Sequence, residues 1–409
     1  MIVFFIRRQA DIDHLTPVAY KLSQFDSALP TIICMTPDLD IELDFRLQFL
    51  RQKGMTVKHA FEALPLSSLE NFGQRLGDWC QARLNTGALK NWFESKLGRG
   101  AWARRLIKHL KPAAVVFDWH EPEKSLAIYV QQAAKGQGIP IVAAPHGLQL
   151  MAGEFQRSQD DEMTPYGHYL RYADHVISPF LLETEWFERC GVEPEKLVTL
   201  GSARFCSEWR EMHNNLVLGP AFSRPNDAGK LKVVYMDHSA VYNLRPDIIS
   251  QSLQAMADLD FIELAIKPSV TGHNFNARDL GNLANDTIDV PSTKLVDWAD
   301  VVMGNVSSIL MEPLMAGKVL LYPTHHHDNK SLFEEFGTCW CVDDDQQLVA
   351  ALTSLNTSPD QHPYEESSVQ NFLTKVVYGD VPDRDVLGDY ARFILKAAEG
   401  STTSVSSEL

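Results

Sequence analysis

The stretch DVVMGNVSSILMEPLMAGKVLLYP, residues 300–323, decides the reading of this chain. It runs as a short strand, a tight turn carrying two serines, a helix, and a second buried strand. Gly304 and Asn305 turn the chain, and Ser307 and Ser308 stand where the helix begins. Uncommitted backbone N–H groups and the helix dipole favour an anion there, and the serine hydroxyls add donors. Glu312 follows one turn later, placed to accept hydrogen bonds from a ribose. Gly317 and Lys318 end the helix, and the apolar run 319–322 returns to the sheet. Two readings fit: a site for a nucleotide mono- or diphosphate joined to a sugar, or an ordinary αβ unit whose serine caps its helix.

Outward from this segment the same alternation recurs. Apolar runs at 2–6, 30–35, 113–117, 141–144, 175–177 and 197–200 are separated by longer helical patterns, as βα units around a parallel sheet require. A turn-rich stretch at 208–230 reads as an interdomain linker. A second series follows at 232–235, 261–266, 287–290, 301–303, 319–322 and 339–342, and 389–398 forms an amphipathic terminal helix. The expected fold class is α/β with two Rossmann-like domains facing across a cleft, the architecture of GT-B glycosyltransferases and related epimerases. Residues 1–207 form the first, acceptor-side domain and 231–375 the second, nucleotide-sugar-binding one. A helical segment at 376–400 packs back on the first domain, and the polar residues 401–409 read as a disordered tail or the start of a linker.

Composition narrows the partners. A chain of 409 residues favours two domains, and a net charge of −16 makes a nucleic-acid backbone a poor general partner. One local exception runs from 90 to 111. There Lys90, Lys96, Arg99, Arg104, Arg105, Lys108 and Lys111 oppose only Glu94, with Trp92, Phe93 and Trp102 interleaved. Such a segment suits an anionic membrane surface or a lipid-linked acceptor, or it is a solvated helical face packed by its tryptophans. The run 2–6 is too short for a signal core and no run is long enough to span a bilayer, so a cytoplasmic protein, peripheral at the inner membrane, is expected. The six cysteines are scattered without CxxC pairs, and Cys339 and Cys341 alternate around Trp340 like one face of a strand.

In parallel sheets ligands bind beyond the carboxyl ends of the strands, so the residues just after each run carry the chemistry. His146 and Gly147 follow 141–144; the imidazole is a candidate base or phosphate donor, and His-Gly also suits a plain turn. The loop beyond holds Glu154, Asp160, Asp161 and Glu162, any of which would serve as an acid or base toward an acceptor hydroxyl. In the second domain Asp237, His238 and Ser239 end the first strand. A carboxylate there caps a turn, or stabilises or attacks an anomeric carbon. Lys267, Pro268 and Ser269 end the next strand, the lysine being a candidate for neutralising a phosphate or a sugar carboxylate. His325, His326 and His327 point in different directions, which disfavours a shared metal and leaves a ligand-facing histidine. Of the Asp-x-Asp pairs, only Asp38/Asp40 follows a strand, and it keeps a metal-dependent transferase open.

Together PHG (145–147), GVEPEKLVTLGSARF (191–205), YMDHS (235–239), IKPS (266–269) and NVSS…E (305–312) resemble bacterial surface-polysaccharide GT-B transferases. Sialyltransferases and capsule Kdo transferases of this class hold CMP with His-Pro and Ser-Ser motifs. Here Ser307 and Ser308 match the second motif, while Lys267-Pro268 replaces the first. The likeness is greatest to the retaining β-Kdo transferase domain of O-antigen and capsule assembly. It implies a CMP-β-Kdo donor, a lipid-linked oligosaccharide acceptor, no metal or other cofactor, and a glycosyl-enzyme adduct on Asp237. It also implies a carboxylate acid/base from the first domain, Glu162 or else Glu154. Lys267 and Arg204 are the candidate cations for the sugar carboxylate, and His238, Ser269, Asn305 and Glu312 complete the donor-binding set. The alternatives are a CDP-glycerol-type glycerophosphotransferase with His146 as base, another CMP-sugar (sialyl-type) transferase, and a catalytically silent nucleotide-sugar-binding scaffold.

Overall fold

The computed structural model describes residues 1–25, 29–84, 87–119, 126–151, 166–217, 219–224, 228–238, 244–269, 287–305, 307–358 and 363–400. Of residues 74, 77, 80–84, 87–89 and 91 it describes the backbone alone. The chain divides into two compact units. Unit 1 comprises Met1–Gly147, Thr164–Met212 and Val376–Leu409; unit 2 comprises Leu148–Met163 and His213–Lys375.

Unit 1 is built on a parallel sheet of β1 (Ile2–Ile6), β2 (Thr31–Cys34), β3 (Thr56–His59), β4 (Ala114–Asp118), β5 (Ile141–Ala144), β6 (His175–Ser178) and β7 (Leu197–Thr199). Their spatial order is β3-β2-β1-β4-β5-β6-β7. Helices on both faces explain why strands such as IVFFI are apolar and buried throughout. β3 (TVKH) was missed in the sequence because it is an edge strand with alternate residues exposed.

The terminal helix Val386–Ala398 packs on the helix Gln9–Phe25 within unit 1, as expected from its apolar face. Its Tyr390, fully buried, donates a hydrogen bond of 2.9 Å to the carbonyl of Gly201. Gly201 has φ +89°, and a Cβ there would lie 2.6 Å from the carbonyl oxygen of Val377. The stretch expected to begin a linker is instead a helix, Ser207–Leu216. Its single buried residue, Trp209, packs on Tyr20 and Phe49; the polar remainder made it read as loop.

Unit 2 holds β8 (Leu231–Met236), β9 (Ile262–Lys267), β10 (Val301–Gly304), β11 (Val319–Pro323) and β12 (Trp340–Val342), all parallel, in the order β12-β11-β10-β8-β9. The strand expected at 287–290 is not formed. Thr287 is buried, its hydroxyl donates to the carbonyl of Ile266, and the N–H of Val290 closes a turn on the carbonyl of Thr287 at 3.1 Å. Cys339 and Cys341 do share one side of their strand, with sulfurs 3.7 Å apart, while Trp340 packs against the core. No helix among the described residues is long and apolar enough to cross a membrane.

Removing the phenol that closes unit 1 leaves the Gly201 carbonyl buried and unsatisfied. Tyr390→Phe is expected to lower stability by about 1–3 kcal/mol, read as a lower urea midpoint at unchanged slope.

Candidate functional site

Each sheet changes winding direction once, and the functional side chains gather at those points. In unit 1 the chain winds outward from β1 through β2 and β3, then crosses to β4 on the other side. The loops after β1 and β4 therefore diverge and open a crevice at the strands' carboxyl ends. Arg7 follows β1 and Asp118 ends β4. Both are buried, and the Arg7 guanidinium holds Asp118 Oδ1 from Nε at 2.6 Å and also from Nη2. His146, just after the neighbouring β5, places Nδ1 3.6 Å from Asp118 Oδ2 and stands edge-on to Trp119 at 5.8 Å.

Burial holds the His146 imidazole below its ordinary pKa, although the Asp118 charge pulls the other way. It is thus neutral near pH 7, with Asp118 behind one ring nitrogen. In the tautomer carrying its proton toward Asp118, the other nitrogen is a base. Asp11 lies below this pair. Its Oδ2 accepts the N–H groups of Arg7 at 2.8 Å and Arg8 at 3.0 Å. Burial, then the charge of Asp118, raise its pKa to about 8, so the cluster avoids two like charges side by side. Arg204 pairs with Asp13 at 3.3 Å and lies over Phe205.

In unit 2 the winding reverses between β8 and β10. Asp237 follows β8 directly and is buried; its N–H donates to the carbonyl of Lys267 at 3.0 Å, and its Oδ2 receives the N–H of Ser269 at 3.4 Å. His238 is half-buried beside it. On the other side of β8, Gly304 ends β10 opposite Met236; a Cβ there would approach the Met236 carbonyl to 3.0 Å, so glycine allows the close strand ends. Ser307, half-buried, caps a single 3-10 turn, Ser308–Leu310, through Ile309 N–H at 3.4 Å. The helix Met311–Met315, carrying half-buried Glu312, is only five residues long.

The structure thus brings Asp237 and Ser269 into contact and ranges Lys267 and Ser307 on the strand ends flanking Asp237. Three expected contacts are differently employed. The Lys267 ammonium donates to the carbonyls of Ile288 at 2.8 Å and Thr287 at 3.3 Å, so it pins that turn instead of standing open to a phosphate. Burial lowers its pKa. Asn305 is buried with both ends of its amide paired, Nδ2 to the Pro323 carbonyl at 2.8 Å and Oδ1 to His326 Nδ1 at 3.1 Å. His326 is buried too, its Nε2 2.8 Å from Ser252 Oγ, which donates to Asp345. The middle histidine of the run is therefore a strut and not a ligand-facing group. Glu154, Asp160, Asp161, Glu162 and Ser239 lie outside the described residues.

Arg7 and Asp118 were missed in the sequence, and Asp11 stood out only as half of the Asp-x-Asp pair Asp11/Asp13. The signal was present: Arg7 directly follows, and Asp118 ends, a buried strand, as Asp237 follows another.

No protein-family model matches the chain, and none of the curated proteins does. Solved structures do. The UDP-GlcNAc 2-epimerase from Neisseria meningitidis bound to UDP-GlcNAc is similar over 98% of this chain and 99% of its own, at 12% identity and a TM-score of 0.57. Anabaena HepE in complex with UDP and glucose is similar over 97% of this chain and 99% of its own, at 10% identity and a TM-score of 0.56. The glycotransferase of kitacinnamycin matches 97% of this chain and 98% of its own, at 14% identity and a TM-score of 0.54. At such identities the likeness establishes the fold, which is GT-B.

His14, buried edge-on to Phe205, has its pKa lowered by burial from the ordinary 6.5 to about 3. Below pH 6.5 the unfolded chain takes up a proton that the folded chain refuses, so this contribution is complete above 6.5 and drains away toward pH 3. His14→Leu is expected to remove that loss. Between pH 7.5 and 4.5 the variant's unfolding free energy should fall by about 3 kcal/mol less than the wild type's.

Proposed function

We propose that the chain is a glycosyltransferase that uses a nucleotide-sugar donor, and that this donor is CMP-β-Kdo, consumed with retention of configuration. The observation that carries the reading is Asp237: a buried carboxylate at the winding reversal of the five-stranded sheet, oriented by the Ser269 N–H. Sheets of this class bind nucleotides at that place. The nucleotide-sugar class is supported by the Neisseria epimerase, bound to UDP-GlcNAc, and by HepE, in complex with UDP and glucose. Cytidylate and Kdo rest on the resemblance carried by YMDHS, IKPS and NVSS.

In the first displacement a carboxylate oxygen of Asp237 bonds to the anomeric carbon while the bond from that carbon to the phosphate oxygen breaks, and CMP departs with the electron pair. Ser307 and Ser308 receive the charge that develops on the phosphate, Glu312 takes the ribose, and His238 and Ser269 border the sugar. Asn305 and Lys267 hold the strand ends in place. In the second displacement the acceptor oxygen replaces Asp237 and its proton passes to a carboxylate base, Glu162 or Glu154. The acceptor of this reading is a lipid-linked oligosaccharide.

Intact-mass spectrometry after mixing with CMP-β-Kdo is expected to reveal a gain of one sugar residue on the wild type, and none on Asp237→Asn, which still binds CMP. An adduct that persists in the asparagine variant sinks the nucleophile assignment.

The His146–Asp118 pair favours a second reading, in which a neutral imidazole deprotonates the attacking hydroxyl, as in a CDP-glycerol-type transfer or a direct displacement from another nucleotide sugar. His146→Ala and Asp118→Asn would then each slow turnover by about 10²–10⁴-fold without any covalent adduct in the wild type. Under the first reading, single-turnover release of CMP survives both substitutions.

A further inference from the structure

Three helices between β3 and β4, Ser68–Leu84, Gly87–Lys96 and Arg99–Leu110, expose large apolar side chains that the core does not use. Leu69, Phe72, Trp79 and Trp92 are 61%, 57%, 52% and 52% exposed. At 100° per residue, Leu69, Phe72 and Trp79 fall within an arc of about 80° on one face of their helix. The helices are seated by other groups. Trp102 is buried and donates to the Leu64 carbonyl at 2.6 Å. Arg105 grips buried Glu70 at 2.7 and 3.0 Å, and Arg104 holds the carbonyls of Ser95 and Lys96 at 3.0 and 3.2 Å. A Cβ on Gly73 would lie 2.6 Å from Leu97, so the first two helices pack against each other closely.

Charge identifies what covers the apolar stripe. The chain carries a net −16, yet the only acid between 90 and 111 is Glu94, which is buried, while Lys96, Arg104, Lys108 and Lys111 are exposed. Exposed Trp92 stands one helical turn before exposed Lys96, and Lys90 pairs at 3.7 Å with Asp78, the neighbour of exposed Trp79; on helices that do not span, this suits the interface of a bilayer with anionic headgroups. An acidic protein partner would be met by the lysines without needing solvent-facing tryptophans. We propose that this three-helix insertion seats the protein on an anionic lipid surface, with Trp79 and Trp92 entering the boundary between headgroups and acyl chains and Lys96, Lys108 and Lys111 on the phosphates. The inference stands whichever donor the enzyme uses.

The full chain is sedimented with vesicles of phosphatidylcholine alone, or of equal parts phosphatidylcholine and phosphatidylglycerol, at low and high salt. Binding is expected only to the phosphatidylglycerol vesicles, weakened by salt, with tryptophan emission shifted to the blue. Trp79→Ser/Trp92→Ser and, separately, Lys96→Glu/Lys108→Glu/Lys111→Glu should each lower the bound fraction at least about tenfold, with circular dichroism and melting unchanged. The proposal is overturned if the wild type ignores the anionic vesicles, or if both folded variants bind as it does. It is also overturned if the wild type self-associates in size-exclusion chromatography and the serine variant becomes monomeric, which would make a second copy the occupant.

Discussion

Parallel pairing is the constraint from which the rest follows. Helices cover both faces of each sheet, so strands such as IVFFI and VLLYP are buried along their whole length and leave no room for polar side chains. The charged groups of interest, Arg7, Asp118 and Asp237, stand at the strands' carboxyl ends, and only where the winding reverses do neighbouring loops part far enough to admit a ligand. Arg7 and Asp118 in one sheet, and Asp237 and the Ser307 turn in the other, occupy those two openings.

The two openings are braced by different chemistry. In unit 1 the brace is ionic: Arg7 and Asp118 are both removed from water, and losing either partner would strand the other charge at roughly 3–5 kcal/mol. A well-packed apolar pair would fill that space without desolvating any charge. What the ion pair adds is orientation, since a carboxylate clamped from one side presents its second oxygen toward His146 in a fixed direction. In unit 2 the brace is a chain of hydrogen bonds through neutral groups, from the Pro323 carbonyl through Asn305, His326 and Ser252, that ends on the Asp345 carboxylate. Burial keeps His326 uncharged, so it bridges an amide and a hydroxyl as a neutral group.

Most of the fold was legible because buried strands announce themselves as short apolar runs. Where the signal was weaker, the reading slipped for identifiable reasons. The edge strand Thr56–His59 buries Val57 alone, and in 287–290 only Thr287 is buried, under a turn that Lys267 pins, while Ile288 is exposed. Trp209, with the Lys21–Glu208 ion pair beside it, anchors a helix that otherwise looks like linker. The site was half legible. Position after a strand singled out Asp237 and His146, but sequence order does not say which strands are neighbours, so the partnership of Arg7 with Asp118, 111 residues apart, was invisible. Nor does residue type reveal that Asn305 and Lys267 would be satisfied by nearby backbone carbonyls.

The seam between Gly201 and Tyr390 has a consequence for how the protein is made. Unit 1 takes its first strand from the opening residues and its last helix from Val386–Ala398, with all of His213–Lys375 threaded between. Emerging from a ribosome, the intervening unit has its entire sheet in hand before the flanking one can close, and the helix Gln9–Phe25 waits with its apolar face uncovered. The helix Gln9–Phe25 is therefore covered only once Val386–Ala398 has been made, and nascent chains stalled short of Tyr390 would be the ones chaperones must shelter.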